Sequence, residues 1–137
     1  MYLRELFDKP VAYEWTYKDD YQWVAEFDIE KVHYEFIADI INPYPEDDEE
    51  VEAVIEFFHR TERGVPTHKI SGVGNEHVVF ATIVKIIREY ITTAKPDVII
   101  YSADEPNRAK LYDRMLARLL PHAKKYISGK NVYVRLK

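Results

Sequence analysis

The sequence predicts an α+β fold on one mixed sheet, a β-meander followed by β-α-β-α-β-β. Three observations carry this expectation. Apolar and polar residues alternate from residue 11 to 60. The spacing turns helical from residue 75. A short unbroken apolar run, "DVIIYS" at 97–102, lies between two helical patterns, as a buried parallel strand does. At 137 residues the chain reads as a single domain, 1–137, with an antiparallel meander over 11–60 and a βαβαββ half over 68–137.

The meander comes first. Val11, Tyr13, Trp15 and Tyr17 share one face of a first strand, and Tyr21, Trp23, Ala25 and Phe27 share one face of a second, with "KDD" as the turn. Val32, Tyr34, Phe36, Ala38 and Ile40 make a third set, and Val51, Ala53, Ile55 and Phe57 a fourth. The opposite faces carry Glu14, Glu26, Glu35, Glu52 and Glu56, but also Val24, Ile37, Val54 and Phe58, so strands three and four are expected to be covered on both sides. Between them "NPYPEDDEE" has two prolines and five consecutive acids and reads as an exposed loop.

Val79, Ile83, Ile86, Ile87 and Tyr90 follow helical spacing, as do Phe80, Val84 and Ile91. A helix at 76–93 that is apolar round most of its circumference is a buried crossover, ended by Lys95-Pro96. Residues 97–102 are then expected to run parallel to the strand before Gly72. Pro106 falls in the first turn of a second helix, whose apolar stripe is Leu111, Tyr112, Met115, Leu116 and Leu119. The last segment, "KKYISGKNVYVRLK", reads as a hairpin turning at "SGKN".

Composition narrows the function. With 47% hydrophobic and 14% aromatic residues, the chain has the material for a packed core. Without cysteine there is no disulfide and no thiolate metal site, which fits a reducing compartment. No apolar run approaches the ~20 residues of a membrane span, and "MYLRELFDKP" lacks signal-peptide architecture, so a cytoplasmic location is expected. A net charge of -5 gives no basic surface for a phosphate backbone, so nucleic acid is not an expected partner. The five histidines show no H-x-x-x-H or H-E-x-x-H spacing, and no metal is expected. There is no Walker sequence, and Ser71 and Ser102 lack a nucleophile elbow. The acids at 46–50 are a solvated loop or a contact for a basic partner.

One local pattern carries chemistry. An extended piece, "THKIS", enters Gly72-Val73-Gly74, and a helix leaves. Two glycines before a helix N-terminus suit a phosphate, because the first-turn N–H groups are unpaired and carry partial positive charge. The same residues also suit a tight turn with Asn75 as N-cap.

"KISGVG" resembles the pyrophosphate signature of the GNAT superfamily of N-acetyltransferases, Gln/Arg-x-x-Gly-x-Gly/Ala, with Lys69 at the first position and Gly72 and Gly74 at the glycines. In that family a long helix, a fifth strand and a helix carrying a Leu-Tyr motif follow. Here "RAKLYDRML" supplies Leu111-Tyr112. The resemblance covers roughly residues 50 to 137. It implies acetyl-CoA or CoA as cofactor, contacted by Lys69, Ile70, Gly72, Val73, Gly74, Asn75 and Arg108, in a wedge where the fourth and fifth strands splay apart. It also implies Tyr112 as general acid for the thiolate and Glu56, with Glu52 second, as base. The family's substrate helices, between its first two strands, have no room in residues 11–40. More loosely, "SGVGN…VFAT…YSADE…R…KLYDR" is similar to small, poorly characterised bacteriophage proteins, which would place the chain in a host cytoplasm. Two classes of function follow. One is an acyl-CoA-dependent N-acyltransferase. The other is a GNAT-like protein that transfers nothing and binds a protein partner or a small phosphorylated ligand.

Overall fold

The alternation of residues 11–60 becomes four antiparallel strands in the computed structural model, which describes residues 10–60, 66–67 and 76–136. They are β1 (Glu14–Lys18), β2 (Gln22–Ile29), β3 (Val32–Ile40) and β4 (Glu52–Arg60). A two-residue strand, β5 (Pro66–Thr67), follows, then helix α1 (Glu76–Ala94), β6 (Val98–Ser102), helix α2 (Pro106–Leu119), β7 (Lys124–Ser128) and β8 (Asn131–Arg135). Among the described residues the sheet runs β1-β2-β3-β4-β6-β8-β7, with β5 paired to β4 off that path. The fold is α+β, as expected, and the parallel partner of β6 is β4.

Local chemistry sets the breaks. Asp19 turns β1 into β2, its Oδ1 accepting the N–H groups of Tyr21 and Gln22 at 2.8 and 2.7 Å. Lys95 ends α1 in the left-handed region, with φ 51 and its N–H donated to the Ile91 carbonyl at 3.0 Å, and Pro96 cannot continue the helix. Pro106 opens α2, where its missing N–H costs nothing. Gly129, at φ 60, makes the tight turn between β7 and β8.

Both helices lie on one face of the sheet. The cross-strand partners Ala25–Phe36, Phe36–Phe57 and Ala38–Ile55 point to that face. Val79, Ile83, Ile86, Ile87 and Tyr90 of α1 cover it and are fully buried, each worth about 1.5–3 kcal/mol in apolar surface removed from water. Trp23 and Phe36 meet the Tyr90 ring edge-on. On the outer face of β3 and β4, Ile37 and Val54 are half-buried and Phe58 is buried.

One face assignment is corrected. The register of β1 shifts between Trp15 and Tyr17, so that Tyr17 pairs with Val24 on the outer face and is half exposed. An extra residue at a bulge reverses the side on which the following side chains fall. The shift returns Lys18 to the helix-covered face, where its Nζ lies 4.1 Å from the Trp23 ring centroid.

Edge strand β1 is tied to α1 by one side chain. The two Glu89 carboxylate oxygens accept hydrogen bonds from the Tyr13 hydroxyl and the Trp15 indole N–H. The N–H of Val11 also donates to Oγ1 of the buried Thr82 at 3.0 Å. Burial and the Glu89 carboxylate both push the Tyr13 hydroxyl pKa upward, so it remains a donor. Glu89→Ala should lower stability by about 1.5–3 kcal/mol, and Glu89→Gln, with one acceptor oxygen left, by roughly half as much. Urea denaturation of the two variants checks the ratio.

Candidate functional site

The parallel pairing of β4 with β6 lasts three residue pairs, Glu52–Val98, Ala53–Ile99 and Val54–Ile100. Its closed end is held by Asp97, whose carboxylate accepts the Val51 N–H at 2.8 Å while its own N–H donates to the Val51 carbonyl at 2.8 Å. Beyond Val54 the strands part, and β4 next pairs on this side with β5, through His59–Thr67 and Arg60–Pro66. The stretch between is a wedge in the sheet. Its backbone donors need partners from elsewhere.

Tyr112 supplies one. Its oxygen accepts the Phe57 N–H at 2.8 Å, and its ring packs on Phe57 and Tyr101, with centroids at 5.4 and 5.1 Å. Helical spacing explains the placement. Tyr112, Met115 and Leu116 form the buried stripe of α2, laid on β4 and β6. Tyr112 is 1% exposed. Burial drives its hydroxyl pKa up, against the lowering effects of the Phe57 N–H and of Arg108. A core tyrosine is expected to donate to a carbonyl; this one accepts from a backbone N–H, because the parting of β6 leaves a donor there.

Of the other predicted residues that the structure describes, Arg108 shares α2 with Tyr112, and the two glutamates project from the opposite face of the sheet. Glu56 is the register partner of Ile37, so it projects from the outer face of β4, away from the face that carries Tyr112. Glu52 shares that outer face. Arg108 stands one helical turn before Tyr112; its Nη2 donates to Glu105 at 2.7 Å, and its buried Nε has no partner among the described residues. Lys69, Ile70, Gly72, Val73, Gly74 and Asn75 lie outside the described residues.

A second constellation lies on the outer face of β2 and β3. Nε2 of His33 is 2.6 Å from Glu26 Oε1 and 3.8 Å from Glu35 Oε1, and Nδ1 is 2.8 Å from Asp28 Oδ1. Burial alone would lower the His33 pKa, but hydrogen bonds to Asp28 and Glu26 raise it overall. Helical histidine spacing does not describe this group. The signal was present in another form: a two-residue turn at Glu30-Lys31 sets positions 26 and 28 beside 33 and 35 on one face of a hairpin.

Comparison of the chain with protein-family models, curated proteins and solved structures finds no match among any of them.

Tyr112→Phe removes the hydrogen bond that the Tyr112 oxygen accepts from the buried Phe57 N–H, and should cost about 1–3 kcal/mol. Hydrogen exchange localises the effect. Protection should fall at Phe57 and hold at Ala53, which keeps its β6 partner, and at Val54, which is paired with Asp39 of β3. A uniform loss along β4 would show that the hydroxyl has no local role.

Proposed function

We propose that the chain is a GNAT-like binding protein that has no general acid for acetyl transfer. The observation that carries this reading is the Tyr112 hydroxyl, buried at 1% exposure and engaged by the Phe57 N–H at 2.8 Å. A general acid must reach its leaving group. This hydroxyl instead completes the β4 backbone at the place where, by the resemblance, the pantetheine of the coenzyme would lie. Glu56, the base the resemblance implies, points to the other face, which supports the same conclusion.

Two further features favour a GNAT-like origin for a protein that transfers nothing. Strands β4 and β6 part after three pairs, in the position of the family's ligand wedge. Between Lys18 and Gln22 the chain makes only a turn, where the family has its acceptor-substrate helices. The ligand class is a phosphorylated small molecule of the CoA type, bound by Arg108 and by the segment Lys69–Asn75 whose sequence resembles the pyrophosphate signature. A protein partner at the wedge is the remaining non-catalytic role. The phage-like sequence stretches suit a small accessory protein of that sort.

Thermal shift with CoA and acetyl-CoA separates the classes. Binding at a hundredfold over the dissociation constant should stabilise the chain by about 2.7 kcal/mol. No shift at millimolar coenzyme would remove the coenzyme from the reading and leave the protein partner. Steady acetyl transfer to a panel of amines that falls by roughly 10²–10⁴ in Tyr112→Phe would overturn it in favour of the active enzyme.

A further inference from the structure

The hairpin of β2 and β3 offers ligand atoms to a place the coenzyme reading does not use. Glu26 and Glu35 are direct cross-strand partners, and Glu14 is the partner of Glu26 on its other side. Nε2 of His33 and one carboxylate oxygen each of Glu26 and Glu35 all lie within 4.8 Å of one another. We propose that these three atoms form a binding site for a divalent transition-metal cation, with Asp28 orienting the imidazole.

The geometry requires little adjustment. Ligand atoms at about 2.0–2.2 Å from a metal stand about 3–3.5 Å from one another. The His33 Nε2 distances, 2.6 Å to Glu26 and 3.8 Å to Glu35, bracket that range. Bringing both His33–glutamate distances into that range takes shifts of under about 1 Å, which side chains make without leaving a rotamer well. Asp28 holds Nδ1 at 2.8 Å. An ionised carboxylate only accepts, so Nδ1 carries the proton and Nε2 is the nitrogen offered to the metal. This is the carboxylate–histidine–metal arrangement that fixes the tautomer and raises ligand basicity. Binding displaces the proton from Nε2 to solvent.

The ligand set suggests the ion. One imidazole with two carboxylates and no thiolate suits zinc or manganese better than calcium, which takes only oxygen, or copper(I), which prefers sulfur. Three protein ligands leave at least one position open. A cleft of about 350 Å³, lined by Glu14 and Thr16 of β1 on one side and by Glu26, Asp28 and His33 on the other, gives water or a small anionic ligand access to it. All three ligands sit on paired strands, which hold a site more rigidly than loops do.

Isothermal titration of the whole chain with Zn²⁺ tests this. One equivalent should bind with micromolar or tighter affinity. Asp28→Asn should weaken binding about 10–100-fold, and His33→Ala should abolish it with the circular dichroism unchanged. Co²⁺ in place of zinc should give visible absorption bands of a four- or five-coordinate nitrogen–oxygen site that vanish in His33→Ala. If His33→Ala does not fold, Glu35→Leu decides, because an apolar side chain beside Phe58 is tolerated there. Unchanged zinc affinity in either variant would place the ion on another histidine and overturn the proposal. No binding up to millimolar zinc would leave the group as an ion-pair cluster and overturn it as well.

Discussion

The constraint on which the rest of the sheet depends is the satisfaction of the far edge of β4. A buried backbone N–H without a partner costs about 1–3 kcal/mol, so a strand in the middle of a sheet cannot simply lose its neighbour. Along β4 three partners take over in turn. β6 serves residues 52–54, the Tyr112 hydroxyl serves Phe57, and β5 serves the end at His59 and Arg60. Asp97 secures the other end by clamping Val51 from both its side chain and its backbone. The wedge is thus a place where pairing changes hands. One oxygen from a helix keeps it closed, and that explains why a tyrosine and not a phenylalanine stands at 112.

The fold was legible wherever a local rule decided it. Period-two alternation located β2, β3 and β4, the Lys95-Pro96 and Pro106 signals bounded both helices, and Gly129 marked the last turn. Tyr17 escaped because a bulge is decided by pairing with β2. Nothing in "YEWTYK" itself announces that one residue will be skipped. The parting of β4 and β6 was expected only through the resemblance, because the residues themselves do not announce it. "VIEFFHR" and "DVIIYS" are equally apolar whether they pair over three residues or six, and the difference is set by what packs between them.

The candidate site was legible in identity and less so in role. Tyr112 stood out in the sequence, and its i, i+3, i+4 neighbours Met115 and Leu116 already placed it on the buried stripe of α2. That stripe was the better guide to its surroundings, since a residue on a fully covered helix face has no access to substrate. The resemblance implies Glu56 by its strand, but alternation assigns it to the face opposite Phe57. The His33 group follows hairpin spacing and not helical spacing. Ligands on a hairpin recur at i and i+2 on each strand and at mirrored distances from the turn, and a rule tuned to helices passes over them.

The two faces of the sheet therefore divide the labour. The helix-covered face is filled by side chains of the core, from Trp23 and Phe36 to Phe57, Tyr101 and Tyr112, and leaves chemistry to the edges and to the other side. The outer face carries Glu14, Glu26, Asp28, His33, Glu35, Glu52 and Glu56, with Phe58 of β4 buried beside them. Glu35 is the register partner of Phe58, next in the chain to Phe57. The carboxylate–histidine group and the tyrosine-filled wedge thus lie at the same end of the sheet, back to back across β3 and β4. Neither shares a side chain with the other, so a change at one reaches the other only through the backbone of those two strands. Eight consecutive antiparallel pairs, from His33–Arg60 to Ile40–Ala53, hold that backbone, which is why each site can be altered and read separately.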